Sequence, residues 1–197
     1  NAVGYLKAAN AQPGDLFGFS VALSADGNTL AVGAYLEDSA ATGVDGNQTS
    51  DSIASRNSGA VYLYTQNNGV WSQQAYIKPS NTDGSDMFGR TVVLSADGRT
   101  LAVGSDREDS AASGIDGDQT SNTATDSGAV YVFANSNGVW TQQAYIKASN
   151  TDASDKFGYA IALSADGNML AVGASQEGSV ATGIDGDQTS NASVESG

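Results

Sequence analysis

An eighteen-residue stretch is written three times in this chain, and that repetition constrains the fold more than any other feature. Phe17 to Ala34 reads FGFSVALSADGNTLAVGA, Phe88 to Ser105 reads FGRTVVLSADGRTLAVGS, and Phe157 to Ala174 reads FGYAIALSADGNMLAVGA. The copies start 71 and 69 residues apart. A period that long implies one supersecondary unit stacked on copies of itself. Within each copy the pattern has a period of two, which predicts a strand with Phe17, Phe19, Val21 and Leu23 on one face and Gly18, Ser20, Ala22 and Ser24 on the other. A Ser-Ala-Asp-Gly-Asn turn and a returning strand, Thr29 to Gly33, complete a hairpin. One face is bulky and the other is made of Gly, Ala and Ser, so the bulky side of one copy is expected to pack on the small side of the next.

Each repeat continues in the same order. A polar segment rich in Ser, Thr, Asp, Asn and Gly follows the hairpin, as Tyr35 to Ser58, Asp106 to Ser127 and Gln176 to Ser196, and reads as a long inserted loop. A third strand, Ala60 to Tyr64 or Ala129 to Phe133, leads through Asn67-Asn68-Gly69 or Ser136-Asn137-Gly138 to a fourth, Val70 to Ile77 or Val139 to Ile146. Two glutamines and a flanking lysine make the fourth strand the most polar, which suits an outer edge.

Four antiparallel strands per repeat, apolar inside and polar outside, describe a propeller blade. The predicted fold is therefore all-β, a partial ring of about 2.75 blades with long inserted loops. Residues 1–10, holding Tyr5-Leu6-Lys7, match the end of a fourth strand and are expected to close a preceding blade. Blade 1 is expected at 11–81, blade 2 at 82–150, and the first half of blade 3 with its loop at 151–197. A β-solenoid or a stack of sandwiches is the alternative, but solenoid coils are shorter.

With the Phe-Gly dipeptides at Phe17-Gly18, Phe88-Gly89 and Phe157-Gly158, and with Val32-Gly33-Ala34, Val103-Gly104-Ser105 and Val172-Gly173-Ala174, the chain resembles the FG-GAP repeat family, though the proline of the motif is missing. The resemblance implies an integrin α-type propeller of the kind found in bacterial surface and secreted proteins. Many members of that family carry an aspartate-rich calcium loop between the first two strands. Here only Asp26, Asp97 and Asp166 stand in that place, so they read as turn formers rather than ligands.

Charge and composition narrow the function. The chain has 22 acidic and 8 basic residues, a net charge of -14, which argues against nucleic acid and against anionic membranes. No apolar run is long enough to span a bilayer, so no membrane insertion is expected. There is no cysteine and no histidine, which removes thiolate chemistry, disulfides and the usual general base. The chain is accordingly not expected to be an enzyme. The paired Asp83 and Asp86, and Asp152 and Asp155, are the nearest thing to a carboxylate pair.

The inserted loops hold the best binding candidates. Asp45, Asn47 and Asp51 recur as Asp116, Asp118 and Asn122 and as Asp185, Asp187 and Asn191, in an Asp-Gly-[Asp/Asn] setting that offers a hard cation several oxygens. Ca²⁺ is the cofactor this arrangement would take, with Glu37-Asp38, Glu108-Asp109 and Glu177 as further ligands; the alternative is a set of Asx-turns in a solvated loop. Trp71, Trp140, Tyr5, Tyr76 and Tyr145 could stack on sugars, or pack the blades.

The favoured expectation is an extracellular or cell-surface module for adhesion, ligand recognition or scaffolding, with a protein or glycan ligand. Two alternatives stand beside it: a structural protein assembling into a ring or filament, and an accessory domain of a secreted hydrolase or lyase. The chain starts at Asn1 and stops at a point equivalent to Gly128, so the blade faces at both ends are expected to meet further blades of a longer chain or further copies of itself.

Overall fold

The computed structural model describes residues 4–193 and 196–197. Strands β1 (Ser20–Leu23), β2 (Thr29–Ala34), β3 (Ala60–Asn67) and β4 (Val70–Ile77) form one antiparallel sheet in the order β1-β2-β3-β4. Strands β5 (Thr91–Leu94), β6 (Thr100–Ser105), β7 (Ala129–Ser136) and β8 (Val139–Ile146) repeat it, and β9 (Phe157–Leu163) pairs with β10 (Leu170–Ala174). A single 3₁₀ turn at Ile53–Ser55 is the only helix among the described residues. The sheets are open, as propeller blades are, and lie face against face.

The turn chemistry is as the sequence dictates. Asn68 and Gly69 both have positive φ, 51° and 80°, the conformation of a type I′ turn between β3 and β4. In the first hairpin Asp26 Oδ1 accepts from Ser24 Oγ at 2.6 Å and from the Asn28 amide at 3.0 Å, so this aspartate shapes the turn. Those hydrogen bonds, Ser24 first, hold the Asp26 carboxyl below its ordinary pKa.

Bulky faces do meet small ones. Ala31, Val61, Leu63 and Ile77 of blade 1 bury against Phe88, Val92, Leu101, Val103, Tyr131 and Phe133 of blade 2. At the centre of the contact Ser20 Oγ donates to the Gly89 carbonyl at 2.7 Å, and Thr91 Oγ1 donates to Gly158 O at 2.9 Å across the next junction. The junction is also threaded by backbone: the amides of Ser85, Met87 and Phe88 donate to the carbonyls of Arg56, Asn57 and Ser58, and Ser154, Lys156 and Phe157 repeat this on Thr125, Asp126 and Ser127.

Three local expectations give way. The first strand begins at Ser20 or Thr91 rather than at Phe17 or Phe88, where Gly18 and Gly89 take φ of 91° and 87° and break the alternation, whereas β9 runs from Phe157 through Gly158 at a φ of 88°. Phe17 therefore packs edge-on against Tyr62, at 5.4 Å between centroids, while Phe19 packs on Tyr35 instead. Second, the innermost strand is short and half-exposed in blade 1, and the core is richest in β3 and its neighbour β2. Third, residues 4–8 form no strand: Tyr5 is 83% exposed, while Ala8 and Leu6 pack on the tyrosine face of blade 1.

Arg90 ties three blades together. Its guanidinium lies 5.8 Å from the Tyr35 ring of blade 1 and 5.1 Å from the Tyr159 ring of blade 3, and it donates to Asp106 Oδ2 at 3.1 Å. Asp106 is fully buried, and desolvation pushes its carboxyl up against the opposing pull of Arg90. Arg90→Met is expected to cost about 1–2 kcal/mol in chemical denaturation, and Arg90→Lys to recover little, since an ammonium neither stacks flat on two rings nor offers a fork.

Candidate functional site

Behind each inserted loop sits a buried polar knot. In blade 1 Lys78 Nζ donates to Glu37 Oε2 at 3.0 Å and to Ser58 Oγ at 2.6 Å, with both charged side chains excluded from solvent. The other carboxylate oxygen, Oε1, accepts from Tyr76 Oη at 2.8 Å and from Asn10 Nδ2 at 3.0 Å, and Tyr62 Oη closes the ring by donating to Asn10 Oδ1 at 2.6 Å. Blade 2 repeats the knot with Lys147, Glu108, Ser127, Asn81 and Tyr131, the ion pair at 2.8 Å. Buried charges are tolerated only when paired and hydrogen-bonded, and here both conditions are met twice. Burial pushes both lysine ammonium groups down from their ordinary pKa, with Glu37 and Glu108 opposing the shift.

The knot corrects three expectations. Glu37 and Glu108 are not outward ligands for a cation, because their oxygens are consumed by lysine, asparagine and backbone donors. Lys78 and Lys147 do not guard an exposed edge: they are interior residues. Tyr76 and Tyr145 offer no ring to a sugar, since both are fully buried, and Trp140 is also in the core.

The loop then clamps the outer strand. Val44 bridges to Ile77, the Asp45 amide donates to the Tyr76 carbonyl at 2.7 Å, the Tyr76 amide donates to Asp45 Oδ1 at 2.9 Å, and Lys78 N donates to Gly43 O at 2.9 Å. The loop thus serves as a short extra strand on the end of β4, and it does so identically at Ile115, Asp116 and Tyr145 in blade 2. Asp45 and Asp116 achieve this with φ of 57° and 55°, a conformation that aspartate tolerates better than most residues.

All nine residues singled out for a cation are exposed, and within one loop their side chains face different ways. Asp45 and Asp116 cap the outer strand. Asn47, Asp118 and Asp187 accept from the amide and hydroxyl of Thr49, Thr120 and Thr189, closing Asx-turns at 2.7–3.0 Å. Asp51 accepts from Gln12, while Asn122 and Asn191 donate to Asp83 and Asp152 in the linkers. Asp185 has a positive φ like its counterparts. Among the described residues no three acidic groups converge tightly enough to hold a metal.

The linker carboxylates are turn formers rather than an acid-base pair. Asp86 Oδ2 accepts from the Asp83 amide at 3.3 Å, and Asp155 Oδ2 from the Asp152 amide at 2.9 Å. Asp86 is buried, and desolvation, reinforced by the charge of Glu108, raises its pKa from 3.8 to about 9. A folded pKa above the unfolded one means that the folded protein keeps a proton the unfolded chain gives up. This stabilisation is complete below about pH 4 and is lost as pH rises toward 9, so Tm is expected to fall across that window. Asp86→Asn is expected to flatten the decline, as read from melting curves at pH 5 and pH 8.

Among the described residues no helix is long and apolar enough to cross a membrane. No curated protein matches the chain. The family model for the FG-GAP repeat matches residues 2–64, 71–133 and 140–192, each match beginning in or beside an outer-strand segment and running through the hairpin that follows. The chain belongs to the FG-GAP repeat family.

Proposed function

We propose that this propeller-type module is a recognition platform of an extracellular or cell-surface protein, binding a protein or glycan through its inserted loops rather than catalysing a reaction. The observation that carries this reading is the two-sidedness of the loops. In blades 1 and 2 their inner side is fixed to the blade by the buried Glu–Lys knot, while their outer side presents Asp118, Thr120 and the exposed isoleucines Ile53 and Ile115. A contact surface held rigid in advance loses little entropy on binding, which is how a loop surface gains affinity.

The test is a binding screen of the chain against extracellular matrix proteins and a glycan array, with Asp118→Ala/Thr120→Ala as the control that leaves the knot intact. Binding that this variant abolishes without lowering Tm supports the reading. Binding to nothing, or binding indifferent to the loops, defeats it. Calcium separates two accounts of the same loops. A rise in Tm or protease resistance on adding Ca²⁺ to chelated protein would give the ion a structural part. The local hydrogen bonds already made by Asp45, Asn47 and Asp51 lead us to expect no change.

A further inference from the structure

Blade 2 departs from its sisters at the root of its inserted loop, and the departures meet in one place. Arg90 stands where blades 1 and 3 have Phe19 and Tyr159, Asp106 where they have Tyr35 and Ser175, and Arg107 where they have Leu36 and Gln176. The linker into blade 3 adds Lys156, where the corresponding residues are Leu16 and Met87. The chain has only 8 basic residues, and the knots consume Lys78 and Lys147. Three of the others gather around a single carboxylate at the junction of blades 2 and 3. Arg90 donates to Asp106 Oδ2 at 3.1 Å. Desolvation raises the Asp106 carboxyl, and the charges of Arg90, Arg107 and Lys156 all pull it back down. In a chain of net charge -14 this is a local positive excess.

The cluster also leaves hydrogen-bonding capacity unused. Among the described residues neither Arg107 nor Lys156 has a carboxylate within ion-pair distance. Arg107 Nε and Asp106 Oδ1 are buried without a hydrogen-bond partner, a donor and an acceptor on adjacent residues. Such atoms are rare in folded proteins, because a buried polar group left alone costs free energy. Tyr159 lies 5.1 Å from the Arg90 guanidinium and is 44% exposed, which puts an aromatic surface at the rim.

We propose that this cluster binds an acidic sugar, a uronate residue of a glycan, with Arg107 and Lys156 holding its carboxylate, Asp106 accepting from a ring hydroxyl and Tyr159 lying against the sugar ring. The proposal rests on the reading of the module as a recognition platform and places one contact at the root of the blade 2 loop. A guanidinium matches a carboxylate in shape as well as charge. A peptide acid would bring the carboxylate without the hydroxyl, whereas a sugar acid brings carboxylate, hydroxyl and an apolar ring face together. The acidic remainder of the chain repels long polyanions, so the site suits a single uronate or a short run of them.

The experiment is calorimetric titration of the whole chain with trigalacturonate at low salt, in chelator so that no bridging cation contributes, with neutral galactotriose and triglutamate as comparisons. Arg107→Gln and Lys156→Met install side chains that the sister blades already carry at Gln176 and Met87, so both variants are expected to keep the wild-type Tm. Trigalacturonate is expected to bind, and each variant to weaken it about tenfold or more. Arg107→Lys is expected to restore only part of the loss, and added salt to weaken the wild-type complex. Galactotriose is expected not to bind, and triglutamate to bind at least about tenfold more weakly than trigalacturonate. No binding of trigalacturonate at millimolar concentration, binding that both variants leave unchanged, or triglutamate binding as tightly overturns the proposal. If Asp118→Ala/Thr120→Ala abolishes a contact found in the matrix and glycan screen while Arg107→Gln leaves it intact, the recognition reading stands and this site falls.

Discussion

Lys147→Met is expected to lower the unfolding free energy by about 3–5 kcal/mol, the cost of leaving one charge of a buried pair without its partner. Lys147 Nζ lies 2.8 Å from Glu108 Oε2 and 2.6 Å from Ser127 Oγ, with no solvent contact at the ammonium. Methionine is an unbranched side chain of similar length, so packing is nearly conserved and the loss is electrostatic. Glu108 then remains in the interior with Asn81 at 3.1 Å and the Ser110 amide at 3.1 Å as its donors. Glu108→Gln in the same background removes the stranded charge and keeps an amide oxygen for one of those two donors, which reach different carboxylate oxygens. The double variant is expected to recover at least about 2 kcal/mol over Lys147→Met, a coupling a double-mutant cycle in urea reads directly. If the single and double variants are equally destabilised, the ion pair is not what holds the knot. Because the knot anchors the inserted loop through Ser110 and Ser127, Lys147→Met is also expected to speed proteolysis between Gly114 and Asp126.

How much of this was legible in the sequence follows from what each residue's position encodes. Strands β2, β3, β4 and their copies were readable because alternation and Asn-Gly turns are local, and because three copies average out accident. Blade stacking was readable too, since a Gly-Ala-Ser face beside a bulky one has few other uses. The knot was not. Glu37 and Lys78 are 41 residues apart, and each sits in a segment whose composition is that of a surface. Only the return of the inserted loop along the outer strand brings them together, and that path depends on Asp45 adopting a positive φ and on the Tyr76 backbone pairing with it. A usable signal did exist. Tyr-[Leu/Ile]-Lys recurs as Tyr5 to Lys7, Tyr76 to Lys78 and Tyr145 to Lys147, and a glutamate recurs at Glu37, Glu108 and Glu177. One acid and one base kept in phase across every repeat, while surface charges drift between Asn28, Arg99 and Asn168, marks a pair rather than a solvated face.

Gly104→Ala is expected to cost about 3 kcal/mol or more, at the upper end for overpacking, although it adds a single methyl group to a strand. The new Cβ would lie 2.2 Å from both the Gly158 carbonyl oxygen and Thr91 Oγ1. Neither can retreat cheaply. Thr91 Oγ1 is itself the donor to Gly158 O at 2.9 Å, and the Gly104 carbonyl accepts from the Gly89 amide at 3.1 Å, so the methyl group wedges a junction that backbone fixes on both sides. Gly173→Ala is the internal control. It makes the same chemical change at the same strand position, yet its Cβ meets only Ala160 at 3.7 Å. It is expected to change stability by no more than about 0.5 kcal/mol, with a small gain from the stiffer unfolded chain. The contrast separates two reasons for a glycine in a strand. If both substitutions cost the same, the glycines answer to the backbone of their own blade. If only Gly104→Ala is costly, they answer to the neighbour, and the unit of folding in this chain is the junction between blades rather than the blade itself.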